Sequence, residues 1–164
     1  MLISPELLAK HLEYSLWASL QVLEAAARLP EAALEANRGN SFGGILATLQ
    51  HIYRADRVWS RRMGGEPAAP FAVAGESLTV REMRELWPGA LNGMAEWVRA
   101  QDEAVIEGRL DWINIKGEAK SELRYKILLH VVNHASYHRG QVITMIRQAG
   151  GEAVSTDLVY YPGM

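Results

Sequence analysis

His130, His134 and His138 follow one another at intervals of four residues, in the run His130-Val-Val-Asn-His134-Ala-Ser-Tyr-His138-Arg-Gly-Gln141. On an α-helix, residues four apart lie one turn apart on the same face. Two such imidazoles can close on one metal ion if a third ligand arrives from a neighbouring helix. His51, on the inner face of another helical segment, is the well-placed candidate for that third ligand. Successive steps of four drift by about 40° around a helix, so three residues of the row can hardly all reach one ion. Spacing leaves the pairs 130/134 and 134/138 equally good. The fifth histidine, His11, reads as a rim or surface residue.

The case for a metal rests on the combination. Any one histidine on an apolar face is most simply a core residue bonded to a carbonyl, but here His51, His134 and His138 each interrupt an apolar stripe. Burying several unpaired imidazoles is costly, and a shared divalent ion satisfies one nitrogen on each ring. The other nitrogens then need acceptors, which also fix the tautomer. Three neutral imidazoles leave the ion its full charge and an open position, which in a zinc site brings the pKa of a bound water to about 7. The same position takes a thiol as thiolate. The chain has no cysteine, so that thiol would come from outside as a low-molecular-weight cofactor. Imidazole ligation suits zinc or nickel, and also iron or manganese.

Other schemes fail on sequence. No histidine has a glutamate three residues before it, as a di-iron carboxylate bundle requires. The patterns His-Glu-x-x-His, Gly-x-Ser-x-Gly and the phosphate loop are absent. Supporting roles fall to Asp56, Tyr14, Asn133, Tyr137 and Gln141. Asp56 reads equally as a surface ion pair with Arg57 or another helix's arginine, and Arg139 and Gln141 as ties from the last helix to a neighbouring backbone. No residue stands out as a general acid or base.

Four amphipathic helices position these side chains. Ser4-Pro5 reads as a serine cap with proline in the first turn. Leu8, Leu12, Ser15, Leu16, Ser19, Val22, Leu23 and Ala26 then recur at helical spacing up to Pro30. The stretch from Pro30 to Asn40 is a connection with some helical tendency. A second helix is expected from a cap at Ser41 to about Met63, its first turn weakened by Gly43 and Gly44, with Ile45, Thr48, Ile52, Ala55, Val58, Trp59 and Arg62 inward. A loop follows through Pro67 and Pro70 to Leu78. Thr79-Val-Arg-Glu82 is a capping box for a third helix carrying Met83, Leu86, Trp87, Leu91, Met94 and Val98 on its stripe, in which Pro88 predicts a kink. Between Ile106 and Glu118, the alternation Leu110, Trp112, Ile113, Ile115 followed by Lys116-Gly117 reads as a short hairpin or extended loop. The fourth helix should span about Glu122 to Ala149, and the tail Asp157-Leu-Val-Tyr-Tyr161 should pack back over the domain. This pattern predicts one all-α domain over 1–164, a four-helix bundle with a short extended or hairpin segment before the last helix.

Composition narrows the function. The 164 residues are long enough to bury a substantial core. Seventeen basic residues against nineteen acidic give a net charge of −2, which argues against nucleic-acid binding. No apolar run approaches the length of a membrane span, and Met1-Leu-Ile-Ser-Pro-Glu6 does not read as a signal peptide. A cytoplasmic protein with neither a membrane nor a nucleic-acid partner is the expectation.

The segments Ser41-Phe-Gly-Gly-Ile-Leu-Ala-Thr-Leu-Gln-His51-Ile-Tyr-Arg-Ala-Asp56-Arg-Val-Trp59 and Leu129-His-Val-Val-Asn-His134-Ala-Ser-Tyr-His138-Arg-Gly-Gln141-Val resemble the DinB/YfiT-like superfamily of bacterial metal-binding four-helix bundles. Tyr14-Ser-Leu-Trp17-Ala-Ser resembles the family's Tyr-Asn-x-Trp-Ala-Asn with serines in place of both asparagines, and Ser155-Thr-Asp157-Leu-Val-Tyr160 matches as well. The resemblance implies a mononuclear site of His51, His134 and His138, with His130 outside it. It also implies up-down-down-up topology and a homodimer. Members include thiol-dependent S-transferases, an isomerase and hydrolases, so it implies a metal-dependent enzyme acting on small molecules. The alternative is a non-catalytic metal-binding stress-response protein with a structural or vestigial site.

Overall fold

The computed structural model describes residues 4–71 and 76–164. The expectations for Met1–Ile3, and part of the loop before Leu78, lie outside the described residues. The elements run α1 (Pro5–Ala27), α2 (Glu31–Glu35), α3 (Ile45–Met63), α4 (Val80–Arg99), α5 (Glu103–Glu107), β1 (Arg109–Ile113), β2 (Ala119–Leu123) and α6 (Arg124–Gln148), with a 3-10 turn at Leu158–Tyr160. The fold is all-α apart from the hairpin. The four long helices are the four read from the sequence. α1 packs on α4 and α6, and α3 packs on the same two.

Periodicity explains the packing. Leu8, Leu12, Leu16, Val22 and Leu23 of α1 are buried, and so are Ile45, Leu49 and Ile52 of α3. They meet Met83, Trp87, Leu91 and Met94 from α4 and Ile127, Leu128, Val131, Val142 and Ile146 from α6 in one apolar core. Removing these side chains from water drives the assembly at roughly 25 cal/mol per Å² of apolar surface. Leu86, in the third helix, falls off its stripe and is exposed.

The capping box of α4 forms as expected. Glu82 N–H donates to Thr79 Oγ1 at 3.2 Å, and Thr79 N–H donates to Glu82 Oε2 at 2.8 Å. Pro88 lies inside a helix that stays continuous through it. Ser4 is the residue before α1, but its hydroxyl makes no capping bond and Leu8 N–H bonds its carbonyl instead.

Two boundaries differ from the sequence reading. α3 starts at Ile45 and not at Ser41, because Asn40 to Gly43 form a turn. In that turn Asn40 Oδ1 accepts from Phe42 N–H at 2.9 Å and Gly43 takes φ +86°. The two glycines precede the helix and do not weaken it. A Cβ on Gly44 would lie 2.7 Å from the Ala36 carbonyl oxygen, so this close approach of α2's end to α3 needs glycine. At the other end, Glu122 belongs to β2, paired with Leu110, and α6 begins at Arg124. The short helix α5 had no distinct pattern in the sequence.

The tail packs back, through the last of the expected residues. Val159 and Tyr160 are exposed, while Tyr161 packs on Tyr14 and Trp17 at centroid distances of 6.0 and 5.6 Å. Tyr14 Oη donates to the Thr156 carbonyl at 2.8 Å.

Candidate metal centre

α3 and α6 bring His51, His134 and His138 together. One nitrogen from each ring lies within 4.8 Å of the other two, a group that could hold a metal ion. His51 Nε2 and His134 Nε2 are 3.0 Å apart. Two imidazole nitrogens bound to one zinc at about 2.0–2.1 Å stand roughly 3–3.4 Å apart at bond angles between octahedral and tetrahedral, so this separation suits a shared ion. It also suits a direct hydrogen bond between the two rings, with one as donor.

The donor chemistry fits a metal. Burial, and then the neighbouring His138, push both His51 and His134 down to about 4, so both rings are neutral at pH 7 with lone pairs available. The His138 ring is buried, and its Nδ1 lies 2.8 Å from Gln141 Oε1. An amide oxygen only accepts, so Nδ1 carries the proton and Nε2 keeps its lone pair for the centre. Gln141 therefore orients His138 and does not tie α6 to a neighbouring backbone. The three-residue spacing on one helix face was the signal for this.

Two aromatic rings wall the site. Phe42, held by the turn before α3, stacks on His51 at 3.9 Å between centroids and meets His138 edge-on at 5.3 Å. Phe71 approaches His51 at 5.5 Å. Neither was singled out in the sequence, although Phe42 directly precedes Gly43-Gly44. Tyr137 is exposed, its ring 4.9 Å from that of His138. Asn133 is exposed and points to no role at the centre.

His130 stands outside the group. Exposed on α6, it lies 5.5 Å from His134 and 6.2 Å from Trp59, centroid to centroid. His11 is equally remote in function, its Nδ1 bonded to the Leu7 carbonyl at 2.9 Å.

Behind the site lies a buried polar layer that the sequence reading misplaced. Asp56 is not a surface ion-pair residue. It is fully buried, and Trp87 Nε1 donates to its Oδ2 at 2.8 Å. Burial pushes its carboxyl up to about 7, against the Trp87 hydrogen bond and nearby Arg139, which both lower it. Arg139, 1 % exposed, donates through Nη1 to Ser15 Oγ at 3.0 Å and Ser19 Oγ at 3.2 Å. Its Nη1 also reaches the Ser15 carbonyl at 3.3 Å, the backbone tie expected of it. Its guanidinium lies over the Tyr14 ring at 5.6 Å. Tyr14 thus supports the residue next to His138 rather than the centre itself.

These helices, with three imidazoles converging between α3 and α6, define the protein's class. The model of the DinB family matches residues 4–164, and the chain belongs to that family. It is similar to Protein DinB of Bacillus subtilis (strain 168), 26% identical over 156 residues that cover 91% of this chain and 90% of the relative. No solved structure matches the chain. Among the described residues, no helix is long and apolar enough to cross a membrane.

Proposed function

We propose that the protein is a metal-dependent enzyme acting on small molecules, of the thiol S-transferase or hydrolase type, with one divalent ion held by His51, His134 and His138. The observation that carries this reading is the convergence of three imidazole nitrogens within 4.8 Å. Zinc or nickel suits the donor set best, and iron or manganese is accommodated. The bound ion supplies a Lewis acid that lowers the pKa of water or of a small thiol. The protein's own groups do the rest. His51 and His134 stay neutral, Gln141 aims His138, and Phe42 and Phe71 keep water from one side. The all-nitrogen donor set contains no carboxylate, which leaves the cation's charge undiminished for the substrate.

A second reading has a specific observation behind it. The 3.0 Å contact of His51 with His134 can close as a hydrogen bond within the protein, which suits a structural or vestigial site. One experiment separates the two. The protein, reconstituted with each metal in turn, is assayed with a panel of low-molecular-weight thiols and electrophilic substrates, and its melting temperature is followed with and without chelator. An enzyme loses turnover on chelation while its melting temperature barely moves. A structural site shows no turnover and a sharply lower melting temperature.

A further inference from the structure

Lys126, His130, His134 and His138 recur at intervals of four along α6, each step turned by about 40° from the last, and Glu122 of β2 precedes them at the same interval. The upper end of the row belongs to the histidine group. The lower end, Glu122, Lys126 and His130, lines a cavity of about 250 Å³ together with Ile127, Trp59 of α3 and Trp112 of β1. The same opposition of elements that sets His51 against His134 and His138 sets Trp59, two turns further along α3, against His130.

The rings are contiguous from cavity to centre. Trp112 meets Trp59 edge-to-face at 5.2 Å, Trp59 meets His130 at 6.2 Å, and His130 meets His134 at 5.5 Å. The cavity is built rather than incidental. Arg62 lies over the Trp59 ring at 4.9 Å, and its guanidinium donates to the Ile113 carbonyl at 2.9 Å, so it ties Trp59 to the strand that carries Trp112. The two charges at the far end cancel, since Lys126 Nζ bonds Glu122 Oε2 at 2.6 Å. What the walls offer is therefore aromatic and aliphatic surface with no uncompensated charge.

We infer that this cavity receives a neutral aryl or branched-alkyl group of the molecule whose polar head reaches the histidine centre, with His130 as the divider that sets the distance between the two. The inference rests on the metal-centre reading above and adds the substrate class to it. The size is right, because an apolar cavity of about 150 Å³ accommodates benzene and this one leaves room for a short linker as well. The reach is also right. Four residues of helix separate His130 from His134 by about 6 Å, which roughly three to five methylenes span. A charged tail would gain no free counter-charge there, because Lys126 and Glu122 already pair with each other, so an apolar group suits these walls better.

The test uses the full chain reconstituted with zinc and three hydroxamates, which bring a metal-binding head to any of the candidate ions. These are acetohydroxamate, 4-phenylbutanohydroxamate and a hydroxamate of equal length ending in carboxylate, with affinities measured by calorimetry. The phenyl compound should bind at least ten-fold more tightly than acetohydroxamate, and the carboxylate compound should gain nothing. Trp59→Ala should remove the gain. His130→Trp, at an exposed position where folding is not at stake, should remove it by filling the cavity, with zinc content by mass spectrometry as the control. Equal affinities for all three compounds, or a gain that survives His130→Trp, would overturn the inference while leaving the metal centre standing. If acetohydroxamate does not bind and zinc is not retained, the metal-centre reading falls and takes the inference with it.

Discussion

Gln141 Oε1 accepts a hydrogen bond from His138 Nδ1 at 2.8 Å, one helical turn along α6. This contact assigns the tautomer of the one buried ring of the group, and with it the nitrogen that faces His51 and His134. Partners of this kind typically tune metal affinity by about 10–100-fold. Gln141→Leu should therefore weaken zinc binding by roughly that factor with little effect on the melting temperature of the metal-free protein. Gln141→Glu, which keeps an acceptor, should restore most of it. Competition with a chromogenic chelator reads both.

The three rings differ from the fourth by position alone. His51→Ala, His134→Ala and His138→Ala should each lower metal affinity by more than the roughly 100-fold ceiling expected for a supporting residue. His130→Ala should leave occupancy intact. Elemental mass spectrometry of the four dialysed variants checks this, and equal losses in all four would refute the assignment.

Asp56 predicts a pH dependence of stability. Its folded value of about 7 lies above the ordinary 3.8, so the folded state holds the extra proton between those values. Stability contributed by this group is full below about pH 4, falls as pH rises towards 7 and is flat above, a loss of the order of a few kcal/mol. His51 and His134, pushed down to about 4, act in the opposite sense, since their contribution is lost as pH falls below 6.5. The difference between the wild type and Asp56→Asn isolates the carboxyl. In urea titrations without metal, the variant should gain on the wild type steadily from pH 4 to 7, and a pH-independent difference would contradict the burial argument.

Arg139 is held by hydroxyls rather than by a carboxylate in contact. Ser15→Ala and Ser19→Ala each strip an acceptor from a buried guanidinium, at a cost of about 1–3 kcal/mol. The two share one donor nitrogen, so the double variant should fall short of the sum. Thermal denaturation of the three proteins measures the coupling.

The sequence carried much of this architecture because the signals were local. Leu8 to Ala26 and Ile45 to Val58 showed helical period, Thr79 and Glu82 announced a helix start, and Gly117 marked a hairpin turn. The triad was narrowed by geometry to His51 plus one of two pairs, and only the resemblance of the surrounding motifs chose between them. What stayed hidden depended on contacts between distant residues. Nothing local says that Asp56 faces Trp87, thirty-one residues away, or that Arg139 finds Ser15, at a separation of 124. The start of α3 was misplaced for a related reason. A serine ahead of a helical stripe resembles a cap, but the Asn40 side chain closes a turn there first.

The row of side chains from Glu122 to His138 has an evolutionary consequence. One inserted or deleted residue between Lys126 and His130 would swing the two halves of the row apart by about 100° around the helix axis. The imidazoles and the tryptophan-lined cavity would then face different neighbours. The length of α6 between these positions is therefore as constrained as the residues that stand on it, whereas a change of length in the connections flanking α6 leaves their alignment intact.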